Sequence, residues 1–518
     1  MVIATTFATW FGSETVLGIP AKFVNNGLGS VVEDPFGAGS CLILVGLFFA
    51  ARLYRMSLLT ISDYFRERYG RSVEVICSLI IMVSYLGWVS AQVTALGLVF
   101  NVLSDGVVSM PVGMAIGVVS ILAYTLFGGM WSVAITDFIQ MIILVAGLAI
   151  LAVFAGHQAG GADKVIALAV SQDMFKFWPE PNFHDIVFFI AAAITIMLGS
   201  IPQQDVFQRV MSANSEFAAT RGPVIGGVFY ILFAFVPMFL VVSAMIIMPE
   251  QAAQLIAEDP QKVLPTLVMQ KMPFIMQVLF FGALLSAIKS CASATLLAPS
   301  VTFTENIWRQ FRPHQSDRQE LKAMRITVLV FSAVVLAYAI AMKGTPIYDL
   351  VSSAYQVTLV GAFVPLVFGL YWSRATTQGA IFSLTAGIGV WLLYFPQISP
   401  LGEYFPGQLA GLLAAPTLLR AQDFPNKPIR VVVPYPPGGQ SDIFTRLIAD
   451  GEALIEADEK HLRFVASVQA DNDAGLLHVV TAVELKNRAG RIYFAPVQVL
   501  HGVITRAMMT SARKRLCT

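Results

Sequence analysis

The chain has 518 residues, of which 56% are hydrophobic and only 13% charged, with a mean hydropathy of +0.71. Soluble domains carry roughly a quarter charged residues, so the composition excludes that class and points to an all-α polytopic membrane protein. A formal net charge of +1 without a basic cluster argues against a nucleic-acid partner, and Cys41, Cys77, Cys291 and Cys517, scattered without CxxC spacing, suggest neither a disulfide framework nor a zinc site.

In chain order, hydropathy gives about twelve candidate spans. They lie near 3–25, 37–54, 73–102, 109–127, 131–155, 185–201, 222–248, 274–303, 324–342, 349–372, 378–396 and 404–419. The start, MVIATTFATWFGSE, lacks the positively charged lead-in of a signal peptide and reads as a chain beginning inside a helix. Trp178, Trp308 and Trp372 fall at span ends, where indoles favour the interface.

Loop charges orient the set. Arg52, Arg55, Arg66, Arg68, Arg71, Arg209, Arg221, Arg309, Arg312, Arg318, Lys322, Arg325 and Arg374 fall in loops after even-numbered spans. The opposite loops hold only Lys22, Lys164, Lys176, Lys262, Lys271 and Lys343. Basic residues are retained on the cytoplasmic side, which places the N-terminus there.

Span one is interrupted by Gly12, Gly18 and Pro20 around Ser13, Glu14 and Thr15, and span six ends at Gly199 and Pro202 in LGSIPQQD. Gly/Pro-interrupted segments at matched places are the mark of a transporter built from inverted repeats. Breaks five spans apart predict two five-helix repeats with the substrate between them at mid-membrane. Carbonyls freed at such breaks need a partner, and a cation or a solute can be one.

Asp137 in span five is a functional-site candidate, because a carboxylate at membrane depth is costly. Span eight, in LLSAIKSCASATLLAPS, carries Ser286, Ser290, Ser293 and the carbonyl of Ala287 at three- and four-residue spacing, hence on one face. Such a stripe serves close helix packing or supplies oxygen ligands to a hard cation such as sodium. Lys289 lies on the same helix and is a natural partner for Asp137.

The motifs FATWFGSETVLGIPAKF, LLTISDYFRERYG, FGGMWSVAITDFIQ, IPQQDVFQRVMSA and LLSAIKSCASATLLAPSVTFTENI occur in that order over roughly the first 410 residues. Together they resemble the sodium:solute symporter family, which moves sugars, amino acids, carboxylates, vitamins or osmolytes. The resemblance implies a LeuT-type fold with one or two extra helices. It also implies a helix ahead of the interrupted one, which this chain lacks.

The resemblance further implies a sodium site formed by the carbonyls of Ala8, Phe11 and Ala287, the hydroxyl of Ser290, and residue 291. Cys291 stands where Ser or Thr is usual, and a thiol is a poor ligand for a hard cation. A second or coupling site would use Asp137, Ser290 and Ser293. Ala294 offers no side-chain oxygen there, and Lys289 replaces an apolar residue. A buried ammonium substitutes for a bound cation or titrates, which leaves proton coupling or uncoupled transport open beside sodium. Ser13, Glu14, Thr15, Gln92 and Gln203 are the candidates for contact with a small organic solute.

Beyond about Pro416 the composition changes. LLRAQDFPNKPIRVVVPYPPGGQSDIFTRLIAD resembles the start of a periplasmic tricarboxylate-binding receptor of the tripartite transport type, over about 421–450. The stretch 451–518 resembles the end of a bacterial α+β domain of unknown function, with HLRFVASVQ and LHVVTAVEL alternating as strands do. Such fragments read as a non-native fused tail.

The sequence-level expectation is a cation-coupled, most simply sodium-coupled, secondary symporter of a small organic solute in a bacterial inner membrane. The partners are the solute and the lipid bilayer, with no other cofactor. The alternative is a transport-incompetent relic. No nucleophile, base and orienting group assemble into a catalytic motif.

Overall fold

The computed structural model describes residues 2–312, 316–395, 398–420, 452–458, 462–471 and 476–485, and its described side chains exclude residues 2, 4, 124, 127–137, 416–420 and those of the strands. The chain divides into two compact units, Met1–Leu419 and Arg420–Thr518.

In the first unit, α1 (Val2–Trp10) ends at a bend at Phe11 and Gly12, and a π-helical turn, Glu14–Gly18, leads into α2 (Ile19–Asn26). The expected interruption is therefore concentrated at Gly12. Ser13, Glu14 and Thr15 lie just beyond it in helical backbone, and Pro20 sits in the first turn of α2, where its missing N–H is tolerated.

After this broken helix and the helical stretch Leu28–Tyr54 come α3 (Ile61–Tyr69), α4 (Arg71–Leu103), α5 (Met110–Gln158), α6 (Phe183–Gly199), α7 (Gln204–Met211) and α8 (Glu216–Phe233). They are followed by α9 (Phe274–Phe303), α10 (Asp317–Ala341) and α11 (Ile347–Thr358). Among the described residues, seven helical stretches are long and apolar enough to cross a membrane. The pair α6 and α7, bent by 46° at the Gly199–Pro202 break, makes an eighth. The remaining expected spans are shorter or interrupted, as at α1, Thr377–Leu393 and Gly407–Arg420.

One boundary differs. Spans four and five were expected to part near residues 128–130, yet the backbone is helical without interruption over the 49 residues of α5. The intervening Gly-Gly pair lacks a proline, and nothing there removes a backbone donor.

The breaks are housed by close packing. α9 packs on both α5 and α4, and α1 lies against α8 and α9. Helices approach most closely through small residues, as is usual where lipid supplies no hydrophobic drive. A Cβ on Gly39, in the helix Ala38–Leu44, would stand 2.8 Å from the carbonyl oxygen of Gly227 on α8, so the two glycines set the crossing of these helices.

At the basic end of the bundle the LLTISDYFRERYG motif forms a capping box. Thr60 Oγ1 accepts from the Asp63 amide at 3.1 Å, and Asp63 Oδ2 accepts from the Thr60 amide at 2.9 Å. Asn306, just past α9, donates through Nδ2 to Asp63 Oδ1 at 3.0 Å and to Glu74 Oε1 at 2.9 Å, and accepts from Thr60 Oγ1 at 2.8 Å. Arg66 completes the cluster with Asp63 at 3.0 Å and Glu74 at 3.4 Å.

In the second unit, β1 (Glu452–Asp458), β2 (Leu462–Asp471) and β3 (Leu476–Leu485) form an antiparallel meander. Its register pairs Ile455 with Ala466 and Val465 with Ala482. Alternation in the sequence pointed to β2 and β3; β1, in EALIEAD, was not anticipated. The receptor-like stretch at about 421–450 lies outside the described residues.

Candidate functional site

The site is built on the break in α1. With the helix interrupted at Phe11 and Gly12, the last carbonyls of α1 lose their regular partners, and α9 supplies one. Ser290 Oγ donates to the carbonyl oxygen of Ala8 at 3.3 Å. Ala8, Phe11, Ala287, Ser290 and Cys291 are all buried. The Ser290 hydroxyl therefore faces α1 and not lipid. Ser293 Oγ donates to the Ser290 carbonyl at 3.0 Å and Thr295 Oγ1 to that of Cys291 at 2.7 Å, so these hydroxyls are engaged within α9 itself.

Gly12 is the point on which the polar groups converge. A Cβ there would lie 2.6 Å from Glu14 Oε2 and 3.0 Å from both Cys291 Sγ and Gln92 Oε1. Only a hydrogen at this position leaves room for all three. The thiol of Cys291 thus comes close to the break.

Glu14, only 3% exposed, is held from several sides. Trp88 Nε1 donates to Oε1 at 2.9 Å and Gln92 Nε2 to Oε2 at 2.6 Å. Gln92 Oε1 in turn accepts the Ser13 amide at 3.0 Å. One amide side chain from α4 thereby satisfies a backbone donor at the break and orients the carboxylate beside it. Among the described residues, Glu14 has no basic partner.

A chain of hydroxyls leads away from the break. Tyr230 OH on α8 donates to Asp34 Oδ1 at 2.8 Å, so Thr15 Oγ1, 2.7 Å from that phenol oxygen, is the donor to it. Asp34 is buried, its amide donating to Tyr348 OH at 3.1 Å.

The second break joins the first through aromatic and charged groups. Trp10 Nε1 donates to Asp205 Oδ2 at 2.9 Å and Tyr85 OH to Asp205 Oδ1 at 2.5 Å. One turn on in α7, Arg209 Nη2 donates to Thr9 Oγ1 at 2.8 Å. Rings line this region: Trp88 lies 6.2 Å from Trp10, 6.0 Å from Tyr85 and 5.4 Å from Tyr355, centroid to centroid.

The structure brings Ser13, Glu14, Thr15 and Gln92 together at one break, and Ser290 with Ala8 beside it. Gln203 lies at the other break, where its Nε2 donates to Ser84 Oγ at 2.8 Å while its buried Oε1 has no described partner. Lys289 is half-buried, and among the described residues it has no ion-pair partner. The side chain of Asp137 lies outside the described residues, and with it the expected pairing with Lys289.

Sequence reasoning missed Trp10, Asp34, Tyr85, Trp88, Asp205, Arg209, Tyr230 and Tyr355. For Asp205 and Arg209 a signal was present in QQDVFQR, where a carboxylate and a guanidinium at i, i+4 follow a proline break. For Tyr85 and Trp88 it was the i, i+3 spacing of aromatics on a span that also carries Gln92.

Comparisons with known proteins follow this geometry. The sodium:solute symporter family matches residues 1–387, and a protein family of unknown function, DUF2867, matches residues 411–508. The chain is 29% identical over 402 residues to the human high affinity choline transporter 1, covering 74% of this chain and 67% of the relative. It is 28% identical to the high-affinity proline transporter PutP of Bacillus subtilis, covering 69% and 75%. Among solved structures, a Na+-coupled sialic acid symporter in a substrate-bound outward-open state superposes with a TM-score of 0.69 at 18% identity, covering 81% of this chain and 88% of that one. The nucleobase-cation-symport-1 family transporter Mhp1, in a closed conformation, gives 0.51 at 16% identity, covering 82% and 92%. These likenesses show the expected LeuT-type fold. The chain belongs to the sodium:solute symporter family and is a multi-pass membrane protein that moves a small solute together with a cation.

Proposed function

We propose that the transported solute is a small organic cation of the choline type, taken up with sodium by alternating access. The observation that carries this reading is Glu14: a buried carboxylate with no basic partner among the described residues, bonded by Trp88, whose ring packs with those of Trp10, Tyr85 and Tyr355. A buried carboxylate without a counter-charge is strongly disfavoured, and a solute cation relieves it. Aromatic faces attract the same ligand through their quadrupoles, and quaternary ammonium groups are recognised in this way. The choline transporters among the relatives support the assignment.

For the coupling ion, the Ser290–Ala8 contact supports a sodium site made by the carbonyls of Ala8, Phe11 and Ala287 with Ser290. Cation binding at this junction would join α1 to α9 and favour the conformation in which they touch. Ser13 and Gln92 position the Glu14 carboxylate that would meet the solute, Thr15 ties the same break to Tyr230, and Gln203 lines the far break. Lys289, with Asp137 and Ser293, supplies the second reading, in which a proton replaces sodium. The loop charges support a cytoplasmic N-terminus, and a bacterial inner membrane is part of the same proposal. The segments at about 421–450 and 451–518 add no transport activity in this reading.

The test is uptake of radiolabelled choline into proteoliposomes under a sodium gradient, a proton gradient or neither. Sodium-driven uptake that is competed by other quaternary ammonium compounds, and not by proline or glucose, is the expected result. Proline uptake without choline uptake would overturn the substrate assignment, and choline uptake driven by protons alone would overturn the ion.

A further inference from the structure

Away from the transport path, α4, α9 and α10 enclose a lipid-facing groove of about 440 Å³. Its walls are almost wholly apolar; Leu79 and Val83 of α4 and Val330 and Val334 of α10 are each about half exposed. Along α10 the lining runs from Ala323 to Val334, a rise of about 16 Å. That matches one leaflet's half of a hydrocarbon core about 30 Å thick.

The groove ends at a basic rim. Trp308 closes it just past α9, and the guanidinium of Arg312 lies 5.7 Å from its ring centroid. Lys322 stands one helical turn before the groove-lining Ile326, and Arg318 one turn further out, both exposed. Of the nearby acids, Glu305 is paired with Arg309 at 2.7 Å, and Asp317 and Glu320 occupy the first turn of α10. Over 305–325 the basic residues Arg309, Arg312, Arg318, Lys322 and Arg325 exceed the acidic Glu305, Asp317 and Glu320. An apolar channel of one-leaflet length, with an indole and cations at its interfacial end, has the two-part chemistry of a lipid.

We infer that this groove is a binding site for an anionic glycerophospholipid, with one acyl chain lying against α10 and the phosphate at Arg312 and Lys322. A neutral zwitterionic lipid would fill the channel equally well but gain less at the rim. A second copy of this chain would cover the walls without needing the cations.

The experiment is native mass spectrometry of the full chain in mild detergent, titrated separately with phosphatidylglycerol and phosphatidylcholine of identical acyl chains. One phosphatidylglycerol retained at least tenfold more strongly than phosphatidylcholine is expected. Arg312→Ala with Lys322→Ala should weaken retention by roughly fivefold per charge, and Val330→Trp, which fills the groove, should abolish it. Val83→Phe serves the same purpose should the tryptophan variant not be monodisperse. Equal retention of both lipids, retention untouched by groove filling, or a lipid-free dimer lost on groove filling would each overturn the inference.

Discussion

The indole Nε1–H of Trp10 donates to Asp205 Oδ2 at 2.9 Å, tying the broken first helix to the segment that follows the second break. Asp205 also accepts from Tyr85, so one carboxylate holds α1, α4 and α7 at a common point. Asp205→Asn keeps the shape and removes the charge. Hydrogen bonds to charged groups contribute about 1.5–3 kcal/mol, so uptake should fall roughly 10- to 150-fold. The check is initial-rate uptake normalised to folded protein, with Trp10→Phe expected to give a smaller loss because only one donor disappears.

Glu14→Gln tests the counter-charge. The Trp88 donor can still bond the amide oxygen, while the attraction for a cationic solute disappears. The expected outcome is a rise of 10-fold or more in the apparent KM for choline with little change in sodium dependence. A parallel loss of affinity for both would place Glu14 at the ion.

Ser290→Ala and Cys291→Ser bracket the sodium site. The first removes the hydroxyl that reaches the Ala8 carbonyl and should raise the sodium concentration for half-maximal uptake by at least 10-fold. The second replaces a soft donor with an oxygen and should lower it several-fold. Sodium titrations of uptake at fixed solute concentration separate these outcomes.

Gly12→Ala tests the crowding at the break. Its Cβ would meet Glu14 Oε2 at 2.6 Å, so the carboxylate must leave its Gln92 and Trp88 donors or α1 must shift. Overpacking of this kind costs about 1–3 kcal/mol. The variant should melt several degrees lower in detergent and transport at a few per cent of the parent rate.

Deleting residues 421–518 removes the second unit but for Arg420. Membrane insertion and sodium-driven uptake should be unchanged. Complete loss of uptake with normal insertion would assign the tail a role in transport.

Much of this architecture was legible because membranes leave the backbone few choices. Length and hydropathy locate spans, and Gly199–Pro202 and Gly12 mark interruptions since no other residues break a helix so cheaply in lipid. Ser290 was legible as well, because a hydroxyl face on an apolar helix has few uses. The aromatic wall was not: Trp10, Tyr85, Trp88 and Tyr355 look like ordinary span residues, and only tertiary packing gathers the other rings around Trp88, which bonds Glu14. Asp34 was hidden differently. It falls between the first two expected spans, where an aspartate reads as solvated, and only the partnership with Tyr230 and Tyr348 explains its burial. The uninterrupted α5 backbone shows the converse limit, since paired glycines suggest a turn that nothing in the chain requires.

The Asn306 cluster carries a kinetic implication. Its amide, just past α9, is shared by two carboxylates and a threonine of the α3–α4 corner. Separating those segments would sever three hydrogen bonds in a single stroke, with no partial release available to a lone side chain. Any motion that parts them behaves as a latch and not a hinge. A transport step that parted these segments would have to lift the latch first, whatever the speed of solute and ion binding.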